Sequence, residues 1–407
     1  MRSHVVVIAY AAGAVAQGLA SNPGGAVPAN VQAPSTMGFR DATIQPSRGG
    51  AAVCVSGMVN VQASTSKNLK FNYTLPANQT QVTETFIDFI TAGSAFMQSI
   101  MAGTQNVNGS FDIGATLCTP SNNTRPAGVQ LLTHGIGFDR HYWDFAPGYS
   151  YVDVAAENGY ASFFYDRLGV GKSNKSDPLN VVQSPIEVEI ARQLGTMLRN
   201  GSFAQQSFST VVGVGHSFGS IISQAVTAAY PRVFDAAILT GFSLNQTAVP
   251  VFLQAANLQI ASQNSPFRFS NPAINSGYLV SAEAIANQIQ FFRAPNFDPL
   301  VLAEADANKG TVTIGEFFSL TAATAPAMNF TGPVAVVNGD NDLPFCFGNC
   351  SYPTNQAEAV FPMLYPNLNS SMSDSLLVPT TGHGINLHYS AVSAYDWIQS
   401  FIKSQGL

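Results

Sequence analysis

Short apolar runs alternate with amphipathic helical stretches over residues 129–403, which predicts an α/β fold with a mostly parallel sheet flanked by helices. Two other stretches qualify this. Residues 51–120 carry strand-like segments without that alternation and read as an N-terminal antiparallel hairpin. Between Phe242 and Phe330 there are helical segments but no strand of the core type, so this part reads as a helical cap inserted between two core strands.

At the N-terminus, Arg2 is followed by an apolar core from Val5 to Val15 and by small residues ending Gly18-Leu19-Ala20. This is the pattern of a secretory signal peptide over 1–20, and its core falls short of the roughly 20 residues that span a bilayer. No later stretch is long and apolar enough for a span. Residues 21–50 are rich in Pro, Gly, Ala and Ser and are expected to lie extended over the surface. The core then occupies 51–242, the cap 243–330, and the rest of the core 331–407.

Val53 to Val61 alternates apolar with small or polar residues, as a half-buried strand does, and Phe71 to Leu75 could pair with it. Thr83 to Met101 shows helical spacing at Phe86, Ile87, Ile90, Phe96 and Met97. Phe111 to Cys118 is the next strand. The parallel strands are Val129–Thr133, Tyr160–Tyr165, Thr210–Val214, Ala236–Thr240, Val334–Asn338 and Leu376–Val378. Ser184-Pro185-Ile186-Glu187 reads as a capping box opening a helix to about Arg199, with Ile186, Ile190, Leu194 and Met197 as its buried stripe. A last helix puts Ala394, Trp397, Ile398, Phe401 and Ile402 on one face.

Only 10% of the 407 residues are charged, and the net charge is −6 with no basic block, so nucleic acid is excluded as a partner. Asn-x-Ser/Thr acceptors at Asn72, Asn78, Asn108, Asn122, Asn174, Asn200, Asn245, Asn329, Asn349 and Asn369 fit a secreted, N-glycosylated chain, in which glycans supply solubility that charge does not. The four cysteines, an even number, suggest two disulfides with three possible connectivities. Cys346 and Cys350 are close and enclose Gly348, so a local clip there would leave Cys54 to pair with Cys118. No histidine lies at ligand spacing near either pair, so no metal is expected.

The chemistry centres on Val211-Val212-Gly213-Val214-Gly215-His216-Ser217-Phe218-Gly219. An apolar strand ends in Gly-x-Ser-x-Gly and an apolar helical stretch follows, which is the pattern of a serine held at a sharp strand-to-helix turn. Such a hydroxyl needs a base within hydrogen-bond reach. Of His4, His134, His141, His216, His383 and His388, the favoured base is His383. It lies in Thr380-Thr381-Gly382-His383-Gly384, after the last strand and at the carboxyl end of the sheet. His388, expected in the first turn of the last helix, is second choice, and His216 is expected to pack or give polar support. The acid that orients the base should come from Gly339-Asp340-Asn341-Asp342-Leu343-Pro344. Asp342 is preferred because Pro344 stiffens its loop, and Asp340 is expected to satisfy its own turn instead. The oxyanion donors are expected to be the N–H groups of Phe218 and Ile136, with His134 holding the loop His134-Gly135-Ile136-Gly137.

The order Ser217, Asp340 or Asp342, His383, with the His-Gly loop upstream, resembles the α/β-hydrolase fold superfamily. So does Asp166-Arg167-Leu168-Gly169-Val170-Gly171-Lys172-Ser173, where Asp166 and Arg167 serve structure. The chain looks closest to secreted, esterase-like members from filamentous fungi. The resemblance implies a serine hydrolase acting on carboxylic esters or lactones of small apolar molecules through an acyl-enzyme, with no cofactor. An acyl-transferring or cyclising enzyme of secondary metabolism, and a binding protein without activity, are the other readings of the same fold.

Overall fold

The computed structural model describes Val27, residues 31–122 and residues 124–407; the signal-peptide reading of 1–20 lies outside them. Its central sheet is built from β1 (Arg40–Pro46), β2 (Ala52–Phe71), β3 (Met101–Pro120), β4 (Val129–Thr133), β5 (Ala161–Tyr165), β6 (Val211–His216), β7 (Ala236–Thr240), β11 (Val334–Gly339) and β12 (Ser373–Val378), in the order β1-β2-β3-β5-β4-β6-β7-β11-β12. From β5 onward the pairs are parallel, while β1, β2 and β3 join antiparallel. Strands β4, β5, β6, β7 and β11 are buried at every position, as strands covered on both faces must be. The flanking helices include α1 (Gln79–Ile90), α2 (Tyr151–Glu157), α3 (Ser184–Arg199), α4 (Phe218–Ala229), α5 (Val249–Ala256), α6 (Ala284–Phe291), α7 (Pro299–Ala307), α8 (Ile314–Phe318) and α9 (Ala391–Ser404). Among the described residues no helix is long and apolar enough to cross a membrane.

Several elements differ from the sequence reading, each for a local reason. The hairpin strands run to 20 residues each, far beyond Val53–Val61 and Phe111–Cys118. Their outer halves, rich in Asn, Gln, Ser and Thr, have no wholly apolar face, and cross-strand pairing from Ala63↔Gly109 to Phe71↔Met101 carries them. Phe71 thus ends β2, rather than starting a partner strand. The 83–101 stretch is two helices, α1 and a short turn at Phe96–Ile100, separated by a break in which Gly93 has φ +75°. Part of the extended 21–50 segment pairs as edge strand β1. The 243–330 segment holds, besides α5 to α8, a small antiparallel sheet of β8 (Gln259–Ile260), β9 (Tyr278–Val280) and β10 (Val312–Thr313). The expected capping box at Ser184 does not form, because both of its side chains have tertiary partners. Ser184 donates to Ser319 O, and Glu187 binds Arg167. His388 lies in a loop just before α9 rather than inside it.

Both disulfides are present: Cys54–Cys118 links directly paired positions of β2 and β3, and Cys346–Cys350 closes a loop after β11.

Helix α1 sits at the tip of the β2–β3 hairpin and reaches across to the 243–330 segment. Gln79 Nε2 donates to Leu258 O at 2.8 Å, and Ile260 N donates to Gln79 Oε1 at 2.9 Å. The Phe86 ring meets Phe317 edge-on at 5.2 Å, and Phe89 meets Phe318 at 5.5 Å.

Candidate active site

Parallel register brings three loops to one edge of the sheet. His216 of β6 pairs with Thr240 of β7, and Gly339 of β11 pairs with Val378 of β12. Ser217 follows β6, Asp342 follows β11 and His383 follows β12, so their side chains converge although up to 166 residues separate them. His383 Nε2 lies 2.8 Å from Ser217 Oγ, and His383 Nδ1 lies 2.6 Å from Asp342 Oδ2. A carboxylate can only accept, so Nδ1 carries the proton and Nε2 offers its lone pair to the hydroxyl.

Each side chain is held by its own local structure. Ser217 stands at φ 56°, ψ −119°, a strained conformation for a residue with a Cβ, and α4 begins at the next residue. The turn closes only because Gly219 lacks a side chain: a Cβ there would lie 2.0 Å from Thr133 O. Asp342 caps the helical turn Leu343–Cys346, its Oδ1 accepting from Phe345 N at 2.9 Å, which leaves Oδ2 for the histidine. Gly348 N also donates to Asp342 O, so the disulfide-closed loop folds back on the acid. Asp340 does not serve its own turn. Its Oδ1 accepts from Thr381 N at 3.2 Å and so ties the acid loop to the histidine loop.

The other histidines support the site. His388 Nε2 accepts from Gly382 N and Arg293 N while its Nδ1 faces Gly384 O, so it grips both neighbours of His383; burial lowers its pKa to about 4, in keeping with a neutral ring. His134 Nε2 accepts from Arg167 N, and burial, then the Arg167 charge, lowers its pKa to about 3. His216 stacks on Tyr142 at 4.5 Å and lies 4.9 Å from His383, held neutral chiefly by burial.

Ser217, Ile136 and Phe218 line one cavity of about 460 Å³, its mouth included. Its other walls are apolar side chains from five parts of the chain: Phe89 of α1, Ile221 of α4, Val249, Phe252 and Leu253 of α5, Phe317 with Leu320 around α8, and Pro344 with Phe345 just after Asp342. Among the described residues the N–H groups of Ile136 and Phe218 have no acceptor, which leaves both available to an oxygen placed in this cavity.

Beneath Phe218 lies a cluster absent from the sequence reading. Arg167 packs 4.6 Å from the Phe218 ring centroid and binds Glu187 of α3 and Glu316 of α8, all three buried. Burial alone would lower the arginine's pKa, but the two carboxylates raise it instead. Burial pushes the Glu187 carboxyl up to about 8, with Glu316 adding to the rise and Arg167 opposing it. The native state therefore keeps this proton where the unfolded chain, releasing it near 4.5, has lost it. Stability should fall as pH rises between these values, and the loss should be complete above about 8. Tm followed from pH 5 to 8 should fall less steeply in Glu187→Gln than in the wild type; identical slopes would remove Glu187 as the cause. Thr313-x-x-Glu316 forms a capping box, a local pattern that could have been read from the sequence.

The model of the Alpha/beta hydrolase family matches residues 130–394. No curated protein matches the chain. Among solved structures the chain is similar to a thermophilic esterase from Thermogutta terrifontis, with 15% identity, 73% of this chain and 94% of that one covered, and a TM-score of 0.48. It is also similar to an alpha/beta hydrolase fold protein from Chitinophaga pinensis, with 15% identity, 72% and 94% covered, and a TM-score of 0.48.

Proposed function

The chain belongs to the alpha/beta hydrolase family, and from that premise we propose that it is a serine hydrolase of carboxylic esters or lactones with apolar acyl groups. The observation that carries this reading is the relay from Asp342 through His383 to Ser217, opening on a cavity with apolar walls. In the reaction, Ser217 Oγ attacks the carbonyl carbon and passes its proton to His383 Nε2. The carbonyl π pair moves to oxygen, where the N–H groups of Ile136 and Phe218 receive it. Collapse breaks the C–O bond to the alcohol, which leaves with the proton from Nε2. Water then repeats the sequence on the acyl-enzyme, and the acid is released. The test is covalent labelling with a fluorophosphonate together with turnover of an ester panel. A folded protein that turns over no ester, whether or not it labels, would refute the reading.

Secretion is part of the same proposal. Both cysteine pairs are disulfides, which persist in oxidising compartments, and the signal pattern and ten acceptor sites agree with export. Expressed in a eukaryotic host, the chain should appear in the medium beginning at Ser21 and lose mass on enzymatic deglycosylation. Cytosolic retention of an unmodified chain would contradict this.

A further inference from the structure

A second apolar hollow lies beside the cavity at Ser217. It is a surface groove of about 550 Å³, mouth included, between α1 and α5, with Val82, Phe86 and Ile90 on one side and Leu253 and Leu258 on the other. Leu253 lines both the groove and the cavity. Phe86, in the groove wall, touches Phe317, which lines the cavity. The two spaces are therefore neighbours that share a side-chain wall at Leu253. At the rim Ile87 is 48% exposed, beside the polar Thr83, Gln254 and Asn257.

We propose that this groove is the far end of the acyl site, taking the distal part of a long unbranched acyl chain whose carbonyl sits at Ser217. The inference rests on the ester-hydrolase reading above and adds a chain-length class and a second wall. The acyl group stays through both half-reactions while the alcohol must leave to water, so an extended apolar subsite suits the acyl side. The groove carries no charged side chain, and α1, which forms half of it, lies outside the part of the chain that the family model matches. Selectivity for long chains is thus contributed by the hairpin tip.

The experiment compares kcat/KM for 4-nitrophenyl dodecanoate and butanoate in the wild type, Thr83→Trp and Ile87→Glu. Both positions are solvent-exposed, and folding is checked by circular dichroism. The ratio of long to short should fall by about tenfold or more in each variant, because a filled or charged groove no longer buries the distal methylenes. Independently of any variant, a dodecyl fluorophosphonate should label the wild type at least about tenfold faster than a butyl one. Unchanged ratios with equal labelling rates would overturn the groove assignment while leaving ester hydrolysis intact. Faster hydrolysis of dodecyl butanoate than of ethyl butanoate, with no preference between the two 4-nitrophenyl esters, would overturn the acyl assignment. Labelling with no turnover of either ester would overturn the ester reading, and the groove with it.

Discussion

Ser217→Ala is expected to lower turnover by about 10⁴-fold or more and to abolish fluorophosphonate labelling, with Tm close to that of the wild type. The fold should tolerate the change because alanine has the same Cβ at the same strained φ of 56°. Among the described residues the hydroxyl bonds only to His383. What is lost is the nucleophile; the cavity, the two free N–H groups and the Asp342–His383 pair remain. Turnover of the best ester within tenfold of wild type, in a folded variant, would remove Ser217 from the mechanism.

Asp342→Asn should be nearly as damaging, with kcat down by about 10⁴-fold, and Asp340→Asn should change kcat only a few-fold. The difference follows from what each carboxyl faces. Phe345 N requires an oxygen at the Oδ1 position of residue 342, so the amide nitrogen of an asparagine must turn toward His383. That nitrogen donates where the imidazole also donates. The ring then shifts its proton to Nε2, pointing it at Ser217 and removing the lone pair that should accept from the hydroxyl. Asparagine at 340 still offers an oxygen to Thr381 N, so the link between the two loops survives at a cost of about 1 kcal/mol or less. Measuring kcat and Tm for both variants checks this; a large kcat loss at 340 with little at 342 would exchange the roles.

How much of this was legible in the sequence depended on the range of the interaction. The parallel strands β4, β5, β6, β7 and β11 were readable because each is a short run buried on both faces, and the serine turn because glycines must flank it. The choice of Asp342 over Asp340 rested on Pro344; the structure adds that Asp342 caps its own helical turn, a local pattern that could have been read from Asp342-Leu343-Pro344-Phe345. The role of Asp340 was misread because its partner, Thr381, lies 41 residues away. The same limit hid the Arg167–Glu187–Glu316 cluster, in which Glu316 is 149 residues from its arginine, and the contact of α1 with the 243–330 segment. The long hairpin was missed for a different reason. Its outer half owes its order to backbone pairing, which leaves no hydrophobic period in the sequence.

That hairpin also separates two kinds of change. Residues 72–100 enter from Phe71 and leave at Met101, and these two positions are paired neighbours. The stretch is therefore a closed excursion with a fixed doorway, and Cys54–Cys118 pins the register of β2 on β3 at the far end. The residues proposed to act in the reaction, Ser217, Asp342 and His383, all lie beyond residue 130, in the loops that follow β6, β11 and β12. On the proposed reading, a graft of one continuous segment from another chain would change the cavity wall that Phe89 supplies without touching Ser217, Asp342 or His383.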